Sequence, residues 1–308
     1  MTEGVPRLAF EKAAVEGFVS VVIPVYRDAA GLADTLDSLA CQTVSRTEYE
    51  VIVCNDGGHP EVSDVCRTRD VMEVSIVPNR GSYFARNRGI ERSAGANLAF
   101  LDADIIVAED WVAVGRNALR EAEYVGGPVG FDESLAVTPA HRYEAATGFR
   151  MNSPEIPQGF LGAGNLFVKR EVFRDLGGFD ERLRSGGDNE FGRRVGQCGR
   201  YRQRFEEGLP VLHPPRGYRG LVSKAGRVGR GKQTLNRLYP DRYHYGRPGF
   251  GRLVRNAVVP PNPKNMRRDF EPNPHFGFLA FYFFRWRFRV DVSLRLLWMY
   301  YGQGSDAE

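Results

Sequence analysis

Short, unbroken runs of β-branched and other apolar residues recur along the first third of the chain. They fall at residues 18–25 (FVSVVIPV), 49–54 (YEVIVC), 72–77 (MEVSIV) and 97–101 (NLAFL). Each is too continuous for a strand with one wet face, which predicts strands of a parallel sheet buried on both sides. Helical spacing fills the gaps, with Leu32, Leu36 and Leu39 in the first and Ala85, Ile90 and Ala94 in the third. Strand and helix therefore alternate as in right-handed β-α-β units.

In such sheets ligands lie beyond the carboxyl ends of the strands. The residues there are Tyr26, Arg27 and Asp28, then Asn55, Asp56 and Gly57, then Asn79, Arg80 and Gly81, then Asp102 and Asp104. Four strands thus deliver aromatic, acidic and basic groups to one rim, more than turn chemistry requires. Beyond Tyr124 the alternation weakens, and Gly126, Gly127, Pro128 and Gly130 predict a loop. A further apolar run at 165–168 leads into a short helix that stops at Gly177 and Gly178. Residues 240–274, rich in Pro, Gly, Arg and Asn, read as an irregular linker.

With 308 residues, 42% of them hydrophobic, the chain fills a sizeable core, which excludes global disorder. A net charge of +4, from 42 basic and 38 acidic residues, lacks the dense basic stripe of a nucleic-acid binder. The basic residues gather locally instead. Arg216, Arg219, Lys224, Arg227, Arg230, Lys232 and Arg237 lie among glycines, which reads either as a phosphate-meeting loop or as a solvated, mobile connector.

Residues 276–301 are aromatic and basic, but the uninterrupted apolar run is about nine residues, short of the roughly 20 that span a bilayer. Docking on the α/β part of the chain or on a second subunit, or an interfacial helix at anionic lipid, are the readings left for this segment. Cys41, Cys54, Cys66 and Cys198 form no C-x-x-C pair, and residues 1–17 carry Glu3, Glu11 and Glu16 without an apolar block. The expectation is unpaired thiols, no secretory signal and a cytoplasmic protein.

Candidate chemistry begins at Asp102-Ala103-Asp104, two carboxylates at the end of an apolar strand. Like charges so placed are costly unless a cation lies near them, and oxygen ligands favour Mg²⁺ or Mn²⁺. Asp188, in GGDNEF at 186–191, opens a helix after a glycine turn. There it either caps backbone amides or accepts a proton from an attacking hydroxyl. His213 closes the run LPVLH and is either a metal ligand or a hydrogen-bonded structural residue. The glycine pattern at 159–164 (GFLGAG) lacks a β-α-β start before it, which argues against a dinucleotide loop.

In order along the chain come VVIPVY at 21–26, LDSLACQ at 36–42, VIVCNDG at 51–57, NRG at 79–81, ARNRG at 85–89, FLDAD at 100–104, GGFDE at 177–181 and GDNE at 187–190. This ordered set resembles the family-two inverting glycosyltransferases, over about two thirds of the chain. The resemblance implies a GT-A fold: a Rossmann-like, mostly parallel central sheet flanked by helices, with a helical or irregular C-terminal extension. It further implies a catalytic domain over residues 1–215, with 216–308 as basic loop, linker and aromatic C-terminal helices.

By the same resemblance Pro24, Tyr26 and Asp56 would hold the nucleoside of a nucleotide-diphospho-sugar, most simply a UDP-sugar. Arg80, Arg86, Gly164, Asn165 and Arg230 would lie about the donor, with Asp102, Ala103 and Asp104 at ribose and metal. Asp104 and His213 would ligate Mn²⁺ or Mg²⁺. Asp188 would be the base that activates the hydroxyl of a saccharide, lipid-linked or other acceptor. Peripheral membrane contact or a homodimer through the C-terminal helices would be compatible with this reading.

Three positions depart from the family pattern. Arg27 stands where Asn is common, Asn55 where Asp is frequent, and Gly187 where Glu usually precedes the base. A nucleotidyltransferase is the nearest enzymatic alternative, but residues 26–30 offer no glycine-rich cradle. A non-catalytic sugar-nucleotide binding module is the other.

Overall fold

The computed structural model describes residues 4–148, 161–264 and 275–302. The described parts of 1–130 and 149–213 form one compact unit, and those of 131–148 and 214–308 a second.

The first unit holds a sheet whose strands include β1 (Val15–Val25), β2 (Tyr49–Asp56), β3 (Met72–Ile76) and β4 (Gly95–Leu101). Within it β2 lies parallel to β1 and β3, and β4 parallel to β1. Helices α1 (Ala29–Ala40), α2 (Pro60–Thr68) and α3 (Ser82–Arg92) connect them. Leu32, Leu36 and Leu39 are buried from α1, as their spacing predicts. Helix α3 stops at Arg92, short of Ala94, whose N–H instead donates to Glu50.

After β5 (Ile106–Val107) and α4 (Trp111–Ala118) come β6 (Tyr124–Gly126) and β7 (Val129–Phe131). These two short strands occupy the stretch expected to be a loop. Gly126 and Gly127 serve close packing there, because a Cβ on Gly127 would lie 2.2 Å from the Leu209 carbonyl oxygen and one on Gly126 2.8 Å from Leu161.

Beyond α5 (Pro139–Thr147) follow β8 (Asn165–Lys169), α6 (Arg170–Leu176), α7 (Gly187–Cys198), β9 (Gln203–Phe205) and β10 (Val211–His213). The main sheet has the order β3-β2-β1-β4-β8-β6-β9, with β8 antiparallel to β4 and to β6. A small sheet of order β5-β10-β7 stands apart from it.

Several motif residues are fold staples. Asn87 donates to the Phe179 carbonyl at 2.8 Å and to Glu181 at 3.0 Å, while accepting from the Phe179 N–H at 2.9 Å. That side chain sews α3 to the GGFDE segment. Gly89 lets α3 approach the sheet, since a Cβ would lie 2.4 Å from Val22 and 2.9 Å from Cys54. The four cysteines are unpaired, and burial pushes the Cys54 and Cys66 thiols up to about 12.

The second unit contains α5, α8 (Tyr218–Leu238), α9 (Phe250–Val258) and α10 (Phe278–Leu297). Two expectations are corrected here. The basic segment expected as a mobile connector or loop is a 21-residue helix. Its glycines admit neighbours: a Cβ on Gly229 would meet Met299 at 2.7 Å, and Gly226, Gly229 and Gly231 are buried with Leu221, Val222 and Leu235.

The stretch expected as irregular linker contains α9, where Phe250, Leu253, Ala257 and Val258 recur at helical spacing and Leu253 is buried. Its residues 265–274 lie outside the described part, as do Gly159 and Phe160 of the glycine pattern.

Aromatic residues of α10 dock on α5 and α8: Tyr143 lies 5.7 Å from Phe284 and 5.4 Å from Phe288, and Tyr218 lies 6.0 Å from Phe284 between ring centroids. Among the described residues no helix is long and apolar enough to cross a membrane.

Candidate active site

The nucleoside end of the rim is built at the tips of β1 and β2. Pro24 stands opposite Cys54 of β2, two residues past Val22, the last β1 residue paired to β4. Tyr26 follows β1 with 48% of its surface exposed, an unburied aromatic face at a strand end. His59, unassigned by sequence, stands edge-on to that ring at 5.0 Å, and its buried Nε2 has no hydrogen-bond partner. Arg27 has φ of 60°, the left-handed region that Asn tolerates better than Arg, and its guanidinium lies 5.0 Å from the Tyr26 ring.

Asp56, buried to 3%, accepts from Asn79 Nδ2 at 2.7 Å, the Arg80 N–H at 2.6 Å and the Gly81 N–H at 2.7 Å. Its carboxylate therefore pins the β3-α3 turn that aims Arg80 outward over Phe84. Arg184, which sequence reading passed over, joins this rim by donating to Asn79 Oδ1 at 3.1 Å.

Asn55 holds the next turn. Its Nδ2 donates to Glu73 at 2.8 Å and to the His59 carbonyl at 3.0 Å, and its Oδ1 accepts from the His59 N–H at 2.9 Å. An aspartate here would turn a donor into a charge facing Glu73. Asn55→Asp is expected to lower stability by about 1–3 kcal/mol near neutral pH. Chemical denaturation near neutral pH checks this.

Just past β4 the chain turns at residues 103–104, where Ala103 and Ile105 are buried in the core while Asp102 and Asp104 stay partly exposed. Arg86, 4% exposed on α3, donates to Asp102 Oδ1 at 2.5 Å and to the Ala163 carbonyl at 3.3 Å. Gly164 closes on the same group, because a Cβ there would lie 3.1 Å from Asp102 Oδ2. Asn165 points inward, its two amide hydrogens going to the Pro128 and Leu209 carbonyls at 3.1 and 2.7 Å while its Oδ1 accepts from Trp111 at 3.0 Å. It braces the Gly164 turn. Arg230 lies on the exposed face of α8 in the second unit.

Pairing of β10 with β5, Leu212 opposite Ile106, carries His213 to the acidic couple. Its Nε2 lies 3.3 Å from Asp104 Oδ2, with His213 1% exposed and the Asp104 side chain 27%. Carboxylate oxygen beside imidazole nitrogen suits a divalent cation such as Mn²⁺. Among the described residues no group of three or more His, Cys, Asp or Glu that could hold a metal ion is found, so the protein offers this pair and no fuller ligand set.

Asp188 sits at the second position of α7, whose N-cap is Gly186 in the left-handed region, with φ 86°. The Tyr83 hydroxyl donates to Asp188 Oδ1 at 3.1 Å, and the Asn189 N–H donates to the same oxygen at 3.0 Å. Desolvation pushes the carboxyl above its ordinary range, against the pull of the Arg86 charge, the Asn189 amide, Tyr83 and a backbone hydrogen bond from Ala163. Tyr83 also explains Gly187: a Cβ at that position would lie 2.8 Å from the tyrosine ring. The usual glutamate is therefore excluded by the ring whose hydroxyl holds the neighbouring carboxylate.

A family model described as glycosyl transferase family 2 matches residues 20–177. Glycosyltransferase AglE of Haloferax volcanii is 35% identical over 222 residues, covering 70% of this chain and 73% of its own. The pre-mycofactocin glycosyltransferase of Mycobacterium tuberculosis is 27% identical over 245 residues, 73% of this chain and 48% of that protein.

Among solved structures, the mannosyltransferase PcManGT from Pyrobaculum calidifontis, in complex with GDP-Man and Mn²⁺, matches with TM-score 0.54 and 18% identity over 96% of this chain and 79% of its own. S. aureus TarS 1-349 in complex with UDP-GlcNAc matches with TM-score 0.51 and 14% identity over 94% of both chains. At such identities the structural likeness speaks for the fold alone. Family model, relative and sheet topology agree: this chain belongs to glycosyl transferase family 2, a GT-A-fold glycosyltransferase that transfers a sugar from a nucleotide donor.

Proposed function

We propose that this chain is a divalent-metal-dependent, inverting transferase that moves a sugar from a nucleoside diphosphate, a UDP-sugar by preference, to an acceptor hydroxyl. One observation carries the reading: a carboxyl raised by burial, Asp188, lies in one cluster with the Arg86–Asp102 pair through Ala163. A base with raised pKa is better matched to a hydroxyl proton than an ordinary solvated aspartate. Asp188 takes that proton as the acceptor oxygen attacks the anomeric carbon from the side opposite the departing diphosphate, which inverts the configuration.

Tyr26 offers its exposed face to the base, and Asp56 and Pro24 shape the seat beneath it. Arg80 and Arg86 supply positive charge toward the diphosphate, with Asp102 held at the ribose side by Arg86. Asp104 and His213 would hold the cation, which supplies electrostatic stabilisation of the leaving diphosphate when bound. The imidazole in the set favours Mn²⁺ over Mg²⁺.

Differential scanning of the full chain with nucleotide sugars tests the donor and the metal together. A UDP-sugar at about 100 times its dissociation constant is expected to add about 2.7 kcal/mol of stability in the presence of Mn²⁺. Asp104→Asn and His213→Gln are expected to lose the metal-dependent part of that gain. Equal stabilisation with and without chelator would remove the metal from the account, and a shift with GDP-sugars alone would replace the base.

A further inference from the structure

The second unit contains a cavity of about 480 Å³, within the range of small-molecule sites. Leu221, Ala225, Val228, Val292 and Leu296 supply much of its wall, from α8 and α10. Charge is confined to Glu144, Lys224, Lys232 and Arg252. Glu144, 2% exposed, is already neutralised from within: Lys224 lies 2.8 Å and Arg216 2.9 Å from its Oε1. Burial pushes this carboxyl up, yet hydrogen bonds from Lys224 and the Arg216 N–H outweigh it and hold the group ionised below its ordinary range.

The cavity lining therefore carries three cations against one carboxylate, and the two basic residues not tied to Glu144, Lys232 and Arg252, are exposed. An apolar wall with a surplus of two positive charges fits a chain that ends in a doubly charged anion.

The surroundings point to where such a chain comes from. Pro248 belongs to the wall, and Tyr301 donates to its carbonyl at 2.8 Å while standing 5.3 Å from the ring of Phe250. Phe250 is 56% and Trp298 64% exposed on the same unit. Exposed aromatic groups among arginines are the composition of a surface that meets a lipid–water boundary.

We propose that this cavity binds a phosphate-bearing single-chain lipid, the chain lodged against α8 and α10 and the phosphate held by Lys232 and Arg252. The proposal rests on residues of the second unit alone and does not draw on the role given to Asp188.

The test uses the full chain and fluorescent lysophosphatidate below its micelle concentration. Saturable one-to-one binding is expected, weakened about tenfold or more when Lys232→Glu and Arg252→Glu are combined, as two lost ion pairs imply. Ala225→Trp, which fills the cavity, is expected to abolish binding at an unchanged melting temperature. Lys232 and Arg252 are exposed, so the charge variant remains informative even if the filled variant folds poorly.

A monoacylglycerol of the same chain length is expected to bind at least about tenfold more weakly, and inorganic phosphate at equal concentration is expected not to displace the lipid. Displacement by phosphate alone would make this a free-phosphate site and overturn the proposal. So would undiminished binding to the charge-reversed protein, or to a folded Ala225→Trp protein, since both mean adsorption on the exposed aromatic surface.

Discussion

Asp188→Asn is expected to lower transfer about 10²- to 10⁴-fold, the range for removing a positioned proton acceptor, while nucleotide-sugar binding persists. Isothermal titration with the donor and product formation by chromatography separate the two effects. Unchanged turnover would show that the acceptor proton goes to another group and would strike Asp188 from that role. Stability should move the other way. The Asp188 carboxyl is raised by desolvation, so its contribution is fully present below the unfolded value and is lost as pH rises through the folded one. The uncharged amide removes that loss, and the variant is expected to be at least as stable as the parent at neutral pH.

If Asp188 is the base proposed above, the raised carboxyl is also expected to set the acid limb of the rate profile. Activity rises as Asp188 ionises, at a pH above that of an ordinary aspartate. Tyr83 donates to the ionised form at 3.1 Å, so Tyr83→Phe should move this limb further up while leaving the alkaline plateau and donor binding little changed. A uniform fall at every pH, with the limb unmoved, would reduce Tyr83 to a packing residue.

Arg86→Met is the second large effect expected. Arg86 is 4% exposed, pairs with Asp102 at 2.5 Å, and opposes the desolvation of Asp188. Breaking a fully buried pair costs about 3–5 kcal/mol. The Asp102 side chain is 42% exposed and can rehydrate, so a loss nearer about 2 kcal/mol is expected. Catalysis should fall about 10²- to 10³-fold, the scale of removing one preorganised charge from a developing anion, and the acid limb should rise because the charge that favoured ionised Asp188 is gone. Urea denaturation and a pH series on one preparation check all three. A lower rate with an unshifted limb would detach Arg86 from the base.

The strands that carry this site were legible because apolar runs leave a local trace, and the four runs predicted β1 to β4 to within three residues at either end. Burial on both faces did not hold for β3, which lies at the sheet edge with Met72 and Ser75 exposed. Tyr26, Asp56, Asp102 and Asp104 could be picked out because a strand's carboxyl end is itself a sequence position. Glycine misled more than any other residue. The same lack of a side chain permits a turn or a close approach, and in α8 and around β6 it was the approach that mattered.

Sequence by itself determined the parallel β-α-β core, the polar rim at its strand ends and the ordered family motifs, since periodicity and termini are properties of short segments. Only the tertiary structure decided the partnerships. Tyr83 reaches Asp188 across 105 residues, β10 brings His213 to Asp104, Arg86 turns to Asp102, and Asn165 turns inward to brace a loop. A hydrogen bond between distant segments leaves no period in either one, because it depends on how the chain closes rather than on what stands beside each residue.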